Sequence, residues 1–199
     1  MTMAGRFIRI NRSLVTGSLL LVYASAAVPC GFEDPASIGT RRGALNIAFP
    51  ESLHVGTAMW QSQIAGRLPR DPWAQRSDLK PEARDLLRRM WATEAVRGLA
   101  ARLASDGAVG DRPTLSIVML SSVMWSRLES QGTAVLANVH VDGPGPGDVV
   151  LVTDTPAIAA LVDGGLKPSE ALAFGLIRLY GDTRKIDVVR RWLGSLERA

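Results

Sequence analysis

Apolar and polar residues follow the clearest pattern in the last quarter of the chain, where the order strand, helix, helix, strand, helix is predicted. Residues 148–153 (DVVLVT) are a short apolar, β-branched run typical of a buried strand. Helices are predicted after Thr155 and Lys167, because a proline follows each of them and fits the first helical position. Residues 176–180 predict another strand, and apolar side chains recur at helical spacing after Asp182.

These residues resemble the C-terminal part of the sterol carrier protein 2 family, over about a quarter of the chain. The shared features are a T-D pair after the strand, spaced apolar residues, turn glycines and a final G-D pair. The matching residues are Thr153, Asp154, Ala157, Leu161, Gly164 or Gly165, Leu166, Pro168, Ala171, Gly175, Ile177, Gly181 and Asp182. The resemblance implies an α+β domain whose small twisted sheet is covered by helices.

In many members of that family an apolar tunnel between the layers holds a lipid, whereas other members use the domain for structure or dimerisation. On this resemblance we expect a continuous apolar cavity lined by four large side chains: Trp125, Leu161, Phe174 and Ile177. A shared fold does not by itself assign a function.

The front half of the chain predicts helices. Residues 51–68 predict a helix, and the helix from Pro81 to about Ala104 has an apolar residue at every fourth position. On the first of these helices one face is approximated by Leu53, Ala58, Gln61 or Met59, Ala65 and Leu68. Residues 28–50, rich in glycine, proline and charge, predict an irregular lead-in. We therefore predict a helical region over 51–110 and an α+β region over 111–199 that share one core.

Residues 114–129 fit either a strand at their start or a helix over their whole length, and the length favours a helix. Residues 134–141 alternate as a strand does. A loop rich in glycine and proline, residues 142–147, follows them. We expect this loop to join the strand to an antiparallel neighbour at 148–153.

The N-terminus predicts export. Three arginines precede an apolar run over residues 14–27 that is short for a transmembrane helix, and small residues at 24–26 suit cleavage, so residues 1–27 predict a signal peptide. An uncleaved membrane anchor is the alternative. Because residues 1–26 contain those three arginines and no acid, their removal lowers the formal net charge from +4 to +1, which leaves no basic stripe typical of nucleic-acid binding.

Cys30 is the single cysteine, just after the predicted cleavage site. It is a candidate for lipidation, which would anchor the protein to a bacterial membrane. The preceding Ala27-Val28-Pro29 departs from the usual lipidation motif, which has a small residue where Pro29 stands and prefers leucine at Ala27. A free thiol that pairs with another chain and an inert side chain are the alternatives.

Motifs for catalysis are missing from the sequence. His54 and His140 would have to join Cys30 and Asp142 to bind a metal, without the paired short spacing of zinc sites. Ser121-Ser122 lacks both the G-x-S-x-G context and a local base. We therefore expect no catalytic residue, no metal and no cofactor. The five tryptophans fit core packing or an apolar cavity.

Three hypotheses of function follow. The first is an exported, non-enzymatic bacterial protein, periplasmic or anchored as a lipoprotein, that binds an apolar or lipid-like molecule. The second is an accessory partner of a periplasmic or membrane complex, which predicts an apolar surface patch near Trp73 or along residues 51–68. The third is a metal-dependent enzyme.

Overall fold

The computed structural model describes residues 38–105 and 112–197, which fold into helices around a five-stranded sheet. The predicted signal peptide and Cys30 lie outside these residues. The elements are α1 (Ile38–Ala48), α2 (Ser52–Ile64), α3 (Pro81–Ala104), β1 (Leu115–Met119), β2 (Met124–Gln131), β3 (Ala134–Val141), β4 (Val149–Thr153), α4 (Thr155–Val162), α5 (Pro168–Ala173), β5 (Arg178–Tyr180) and α6 (Thr183–Gly194), followed by a 3-10 turn at Ser195–Glu197. The predicted α+β class is confirmed.

The sheet has the strand order β3-β2-β1-β4-β5. β1 and β4 are parallel, and the other neighbouring pairs are antiparallel. The helix predicted over residues 114–129 is wrong, because these residues form the β1–β2 hairpin. Every residue of β1 is buried, so its apolar run reflects a strand covered on both faces. The prediction that β3 and β4 are neighbours is also wrong, because β1 and β2 lie between them.

The crossover from β3 to β4 is held by Asp148, whose side chain is buried. Its Oδ2 accepts hydrogen bonds from Ser116 Oγ at 2.6 Å and from the Gly145 N–H at 2.7 Å. Arg127 forms an ion pair with the same oxygen at 3.1 Å. Three partners on one carboxylate fix the loop across the end of β1 and β2 and satisfy a buried charge.

The irregular lead-in predicted before residue 50 needs correction, since residues 38–48 are α1. Leu45 of α1 is buried, and the following Phe49 contacts both the Trp125 ring (centroids 6.0 Å apart) and the Tyr180 ring (4.9 Å). These tertiary contacts select a helix that the local composition of glycine and charge does not predict.

The long helix α3 packs against α4 and β3. An added Cβ at Gly98 would lie 2.9 Å from Cγ1 of Val162, so glycine permits this close approach of α3 to α4. Farther along α3, the Arg102 guanidinium donates hydrogen bonds to the carbonyl oxygens of Leu161 and Val162 at 2.7 and 2.9 Å. Arg102 thus satisfies carbonyls at the end of α4 that have no partner within the helix.

The C-terminal order of helices and strand agrees with the sequence pattern. Asp182 accepts hydrogen bonds from the backbone N–H groups of Arg184 and Lys185, as a cap of α6 should. Gly164 and Gly175, with φ of +75° and +72°, end α4 and α5. One contiguous hydrophobic core contains residues from Leu45 in α1 to Leu196 in the final turn.

Candidate functional site

A cleft lies between α2, α3, the β1–β2 loop and the start of α4. The lobe next to α3, here called the main lobe, has a volume of about 350 Å³, and the lobe toward α1, here called the side lobe, has a volume of about 470 Å³. Gly56, Trp60, Ser121 and Asp154 line both lobes. These volumes fall in the range of small-molecule binding sites. We refer to the two lobes together as the α2 cleft.

The polar part of the α2 cleft follows from the sheet topology. β1 and β4 run parallel with Met119 opposite Thr153, so the residues that follow each strand meet at one edge of the sheet. Ser121 follows β1 and Asp154 follows β4, and Ser121 Oγ donates a hydrogen bond to Asp154 Oδ1 at 2.6 Å. The ends of parallel strands are a common place for ligands in open sheets.

Asp154 is the N-cap of α4, where its Oδ1 also accepts a hydrogen bond from the Thr155 N–H at 2.8 Å. The helix predicted to start after Thr155 starts one residue earlier, because Thr155 is itself the first helical residue. Burial of the carboxyl group raises the pKa of Asp154, and the hydrogen bonds from Ser121 and Thr155 and the charge of Arg42 offset only part of that effect. Arg42 itself donates to the Ser121 carbonyl at 3.0 Å.

The β1–β2 loop carries backbone strain and an unpartnered hydroxyl. Val123 is buried and has φ of +50°, a region that β-branched residues rarely adopt. Next to it, the Oγ of Ser122 is buried, has no hydrogen-bond partner among the described residues, and belongs to a residue that lines the main lobe. Strained residues and unsatisfied polar groups concentrate at functional sites, so this loop is a candidate for ligand contact.

The apolar wall of the cleft is formed by indole rings and a thioether. Trp60 of α2 is 62% exposed, Trp91 of α3 is half-buried, and Met59 of α2 is buried. Aromatic rings provide large apolar surfaces at a binding site. One part of the cleft is therefore apolar, and the part at the strand ends is polar.

The charged residues of the main lobe are largely compensated within the protein. Arg88 forms ion pairs with Asp71 at 2.5 Å and with Asp85 at 3.0 Å. Asp71 in turn accepts a hydrogen bond from the Trp73 N–H at 2.8 Å. Because Arg88 is held by two carboxylates, the lobe does not present the cluster of uncompensated arginines that a strongly anionic ligand requires.

The four residues predicted to line an apolar cavity are not brought together in the α2 cleft. Trp125, Leu161 and Ile177 are buried members of the hydrophobic core. Phe174 is 44% exposed and lines a separate groove of about 460 Å³, where the Arg67 guanidinium lies 4.9 Å from its ring centroid. A cavity lined by these four residues stays a prediction.

The sequence drew attention to Ser121 and Ser122 but associated no base with them. Asp154 lies 33 positions away along the chain, and only the parallel pairing of β1 with β4 brings it to Ser121. The signal that pointed to it was its place directly after a buried strand and before Thr155-Pro156. Trp60 was noted as one of five tryptophans that pack in the core or line a cavity, and the structure assigns it to the cleft.

The two histidines lie on different elements. His54 is exposed on α2, and His140 forms a bulge in β3 with φ of +59°, its Nε2 3.4 Å from Thr93 Oγ1. Among residues 38–105 and 112–197, no group of three histidine, cysteine, aspartate or glutamate side chains could hold a metal ion. Within the same residues, no helix has the length and apolar character required to cross a membrane.

Comparisons with known proteins find likeness of structure only. No protein-family model matches the chain, and no curated protein does. The sterol carrier protein 2 like 2 of Aedes aegypti is 19% identical with a TM-score of 0.39, over 52% of this chain and 96% of that one. Sterol carrier protein 2 from Yarrowia lipolytica is 13% identical with a TM-score of 0.30, over 61% of this chain and 98% of that one.

A stereoselective inverting sec-alkylsulfatase from Pseudomonas sp. is 25% identical with a TM-score of 0.39, over 48% of this chain. The matched region spans only 14% of the length of that enzyme. Sterol carrier protein 2 structures are thus among those similar to about half of this chain, as the C-terminal pattern predicts. A TM-score below 0.5 describes a partial likeness. The ligands of those proteins are therefore not assigned to this chain.

Proposed function

We propose that this protein is a non-enzymatic binding protein for a small lipid-like molecule and that the α2 cleft is its binding site. The observation that supports the proposal is the divided lining of the cleft. The indole rings of Trp60 and Trp91 offer apolar surface, whereas Ser122 and Asp154 offer hydroxyl and carboxyl groups at the strand ends. An amphiphile with an apolar body and a small polar end matches both parts.

The chemistry of the polar end follows from the groups that face it. The buried hydroxyl of Ser122 would regain a hydrogen bond from a ligand oxygen or hydroxyl group. Asp154, with its raised pKa, favours a neutral polar group over an anion at that position. A molecule with an uncharged or weakly charged end, such as an alcohol or a protonated carboxylic acid, is therefore preferred to a phosphate.

Gly56 provides the direct test. It lines both lobes, and a Cβ added to it would meet no atom within 4 Å, so Gly56→Leu fills the cleft without a steric conflict in the fold. We expect wild-type protein to bind a dansyl-labelled fatty acid saturably and Gly56→Leu to lose that binding with an unchanged melting temperature. Gly43→Leu is the matched control, since Gly43 is also helical with open space around it and lines neither lobe.

Binding by Gly56→Leu that equals the wild type would overturn the assignment of the site and return attention to the interior near Trp125, Leu161 and Ile177. The non-enzymatic part of the proposal has its own readout. Mass spectrometry of the recovered fatty acid should find it chemically unchanged, and a cleaved or oxidised product would contradict that part.

The proposed location is the bacterial periplasm, either free or anchored through Cys30, and it rests on the N-terminal sequence pattern. If Cys30 is lipidated, the wild-type protein should stay in the membrane fraction after a high-salt wash, whereas Cys30→Ser should move to the soluble fraction. An equal distribution of Cys30→Ser and wild type between the fractions would count against the anchor.

A further inference from the structure

The carboxyl group of Asp154 is shared by the two lobes of the α2 cleft, since Asp154 lines both of them. Its Oδ1 accepts two short hydrogen bonds, from Ser121 Oγ at 2.6 Å and from the Thr155 N–H at 2.8 Å. With two donors already on Oδ1, a proton on this carboxyl group belongs on Oδ2. Protonated Asp154 is then a hydrogen-bond donor at this point of the cleft.

The hydroxyl group of Ser122 is a second donor at the same strand ends. Its Oγ is buried without a hydrogen-bond partner among the described residues, and Ser122 lines the main lobe together with Asp154. A buried hydroxyl group without a partner is unfavourable, and an accepting oxygen on a ligand restores its hydrogen bond. The polar part of the cleft therefore offers two donors, which the parallel pairing of β1 with β4 brings to one edge of the sheet.

The charges around Asp154 and its burial decide when it carries a proton. The charged residues that line the lobes from neighbouring elements are Arg42 on α1, Asp71 before α3, and Asp85, Arg88 and Arg89 on α3. Among the described residues of α2, those that line the two lobes are uncharged. Arg42 donates to the Ser121 carbonyl, and its charge offsets only part of the effect of burial, which raises the pKa of Asp154.

Hydrogen-bond donors in a cleft discriminate among the polar groups of ligands. The carbonyl oxygen of an ester or ketone has two lone pairs and no proton, so it can accept from both Asp154 and Ser122. An alcohol bonds to Asp154 in either protonation state, because its hydroxyl group both donates and accepts. A carbonyl group loses one of its two donors when Asp154 ionises, and an accepting oxygen then faces another one.

We infer that the α2 cleft selects lipid-like molecules whose polar end is a carbonyl group, and that a proton on Asp154 and the hydroxyl group of Ser122 hold that end. This inference rests on the proposed function, because it names the ligand class for the same cleft. The hydrogen bond from Asp154 requires the proton, so the ligand binds while Asp154 is protonated and is released as the pH rises. Occupation of the cleft is thus linked to one proton.

Two probes that differ only at the polar end test this inference. The methyl ester of the dansyl-labelled fatty acid accepts hydrogen bonds without titrating, whereas the corresponding alcohol also donates. From about pH 5 to about pH 9, wild-type protein should bind the ester more weakly as the pH rises, by up to about tenfold per pH unit for one linked proton. Its affinity for the alcohol should stay within about threefold over the same range.

Asp154→Asn separates the proton from the donor. The amide N–H donates at every pH, and asparagine also serves as a helix N-cap. This variant should bind the ester independently of pH and, at about pH 9, about tenfold or more tightly than the wild type. Asp182→Asn is the matched control, since Asp182 is the N-cap of α6, lines neither lobe, and should leave the wild-type pH profile unchanged.

Three outcomes would overturn the inference: an ester affinity of the wild type that does not change with pH, an unaltered pH profile in Asp154→Asn, or an alcohol affinity that falls as steeply as the ester affinity. If Asp154→Asn does not fold, the comparison of the two probes on the wild type still tests it. Failure of the proposed function gives a different result, because neither probe then binds saturably at any pH, or Gly56→Leu binds both as tightly as the wild type.

Discussion

Replacement of Trp60 by alanine should weaken ligand binding without affecting the fold. A fully covered tryptophan buries about 200 Å², and Trp60 is 62% exposed in the structure. About 120 Å² of its surface is therefore open to a ligand, and a molecule that lies on one face of the ring covers about half of that. At about 25 cal/mol per Å² this contact contributes about 1.5 kcal/mol, or slightly more than a tenfold change in Kd.

A fluorescence titration of each variant with the dansyl-labelled fatty acid, in buffer without lipid, measures this change in Kd. Trp60→Ala should raise Kd by about tenfold, and Trp60→Phe should restore most of the affinity because a phenyl ring keeps much of the contact. Leu136→Ala, at an exposed position outside the cleft, is the control. A Kd for Trp60→Ala within about twofold of the wild type would refute the assigned contact. A large fall in melting temperature would show that Trp60 has a structural role instead.

Three further predictions concern the cleft and its supports. Ser122→Ala should leave the melting temperature unchanged or slightly raised, because the Ser122 Oγ is buried without a partner among the described residues. The same change should raise the Kd for the ligand by about fivefold, because a hydrogen bond to the ligand is lost. Equal affinities of variant and wild type would contradict that contact. Burial raises the pKa of Asp154, so the folded state binds this proton more tightly than the unfolded state does. The folded state therefore loses stability as the pH rises from about 3.8, the ordinary pKa, through the higher pKa of the folded state. Asp154→Asn keeps the helix cap and removes the buried charge, so its free energy of unfolding in urea should exceed that of the wild type, and by most at neutral pH. A difference in stability that grows as the pH falls would contradict this pH dependence. Gly98→Ala should destabilise by about 1–3 kcal/mol through contact with Val162, and Val162→Ala in the same chain should recover part of the loss; additive losses in the double variant would refute the close approach.

Local patterns in the sequence determined much of the C-terminal half. Proline at the start of α4 and α5, glycine at their ends and Asp182 at the cap of α6 act within a few residues, so their consequences can be predicted without tertiary contacts. The same holds for the regular spacing of apolar residues along α3, of which Ala95, Leu99 and Leu103 are buried as predicted.

The tertiary structure decided whatever depends on distant partners. The sequence pattern predicts β1 as part of a helix, but it is a strand that other elements cover on both faces. Helix α1 forms because Leu45 is buried in the core and Phe49 contacts the rings of Trp125 and Tyr180. The meeting of Ser121 with Asp154 depends on the parallel pairing of β1 with β4.

The orientation of α2 shows the physical reason most directly. The spacing of its apolar residues predicts a helix with Leu53 and Leu68 near one face, and periodicity alone cannot say which face the rest of the protein will cover. Packing on β4 covers Val55 and Met59 and leaves Leu53, Trp60 and Ile64 outside. The sequence by itself determined that this segment is helical, whereas the free energy of packing against the other elements determined which side faces water and, with it, where the candidate site opens.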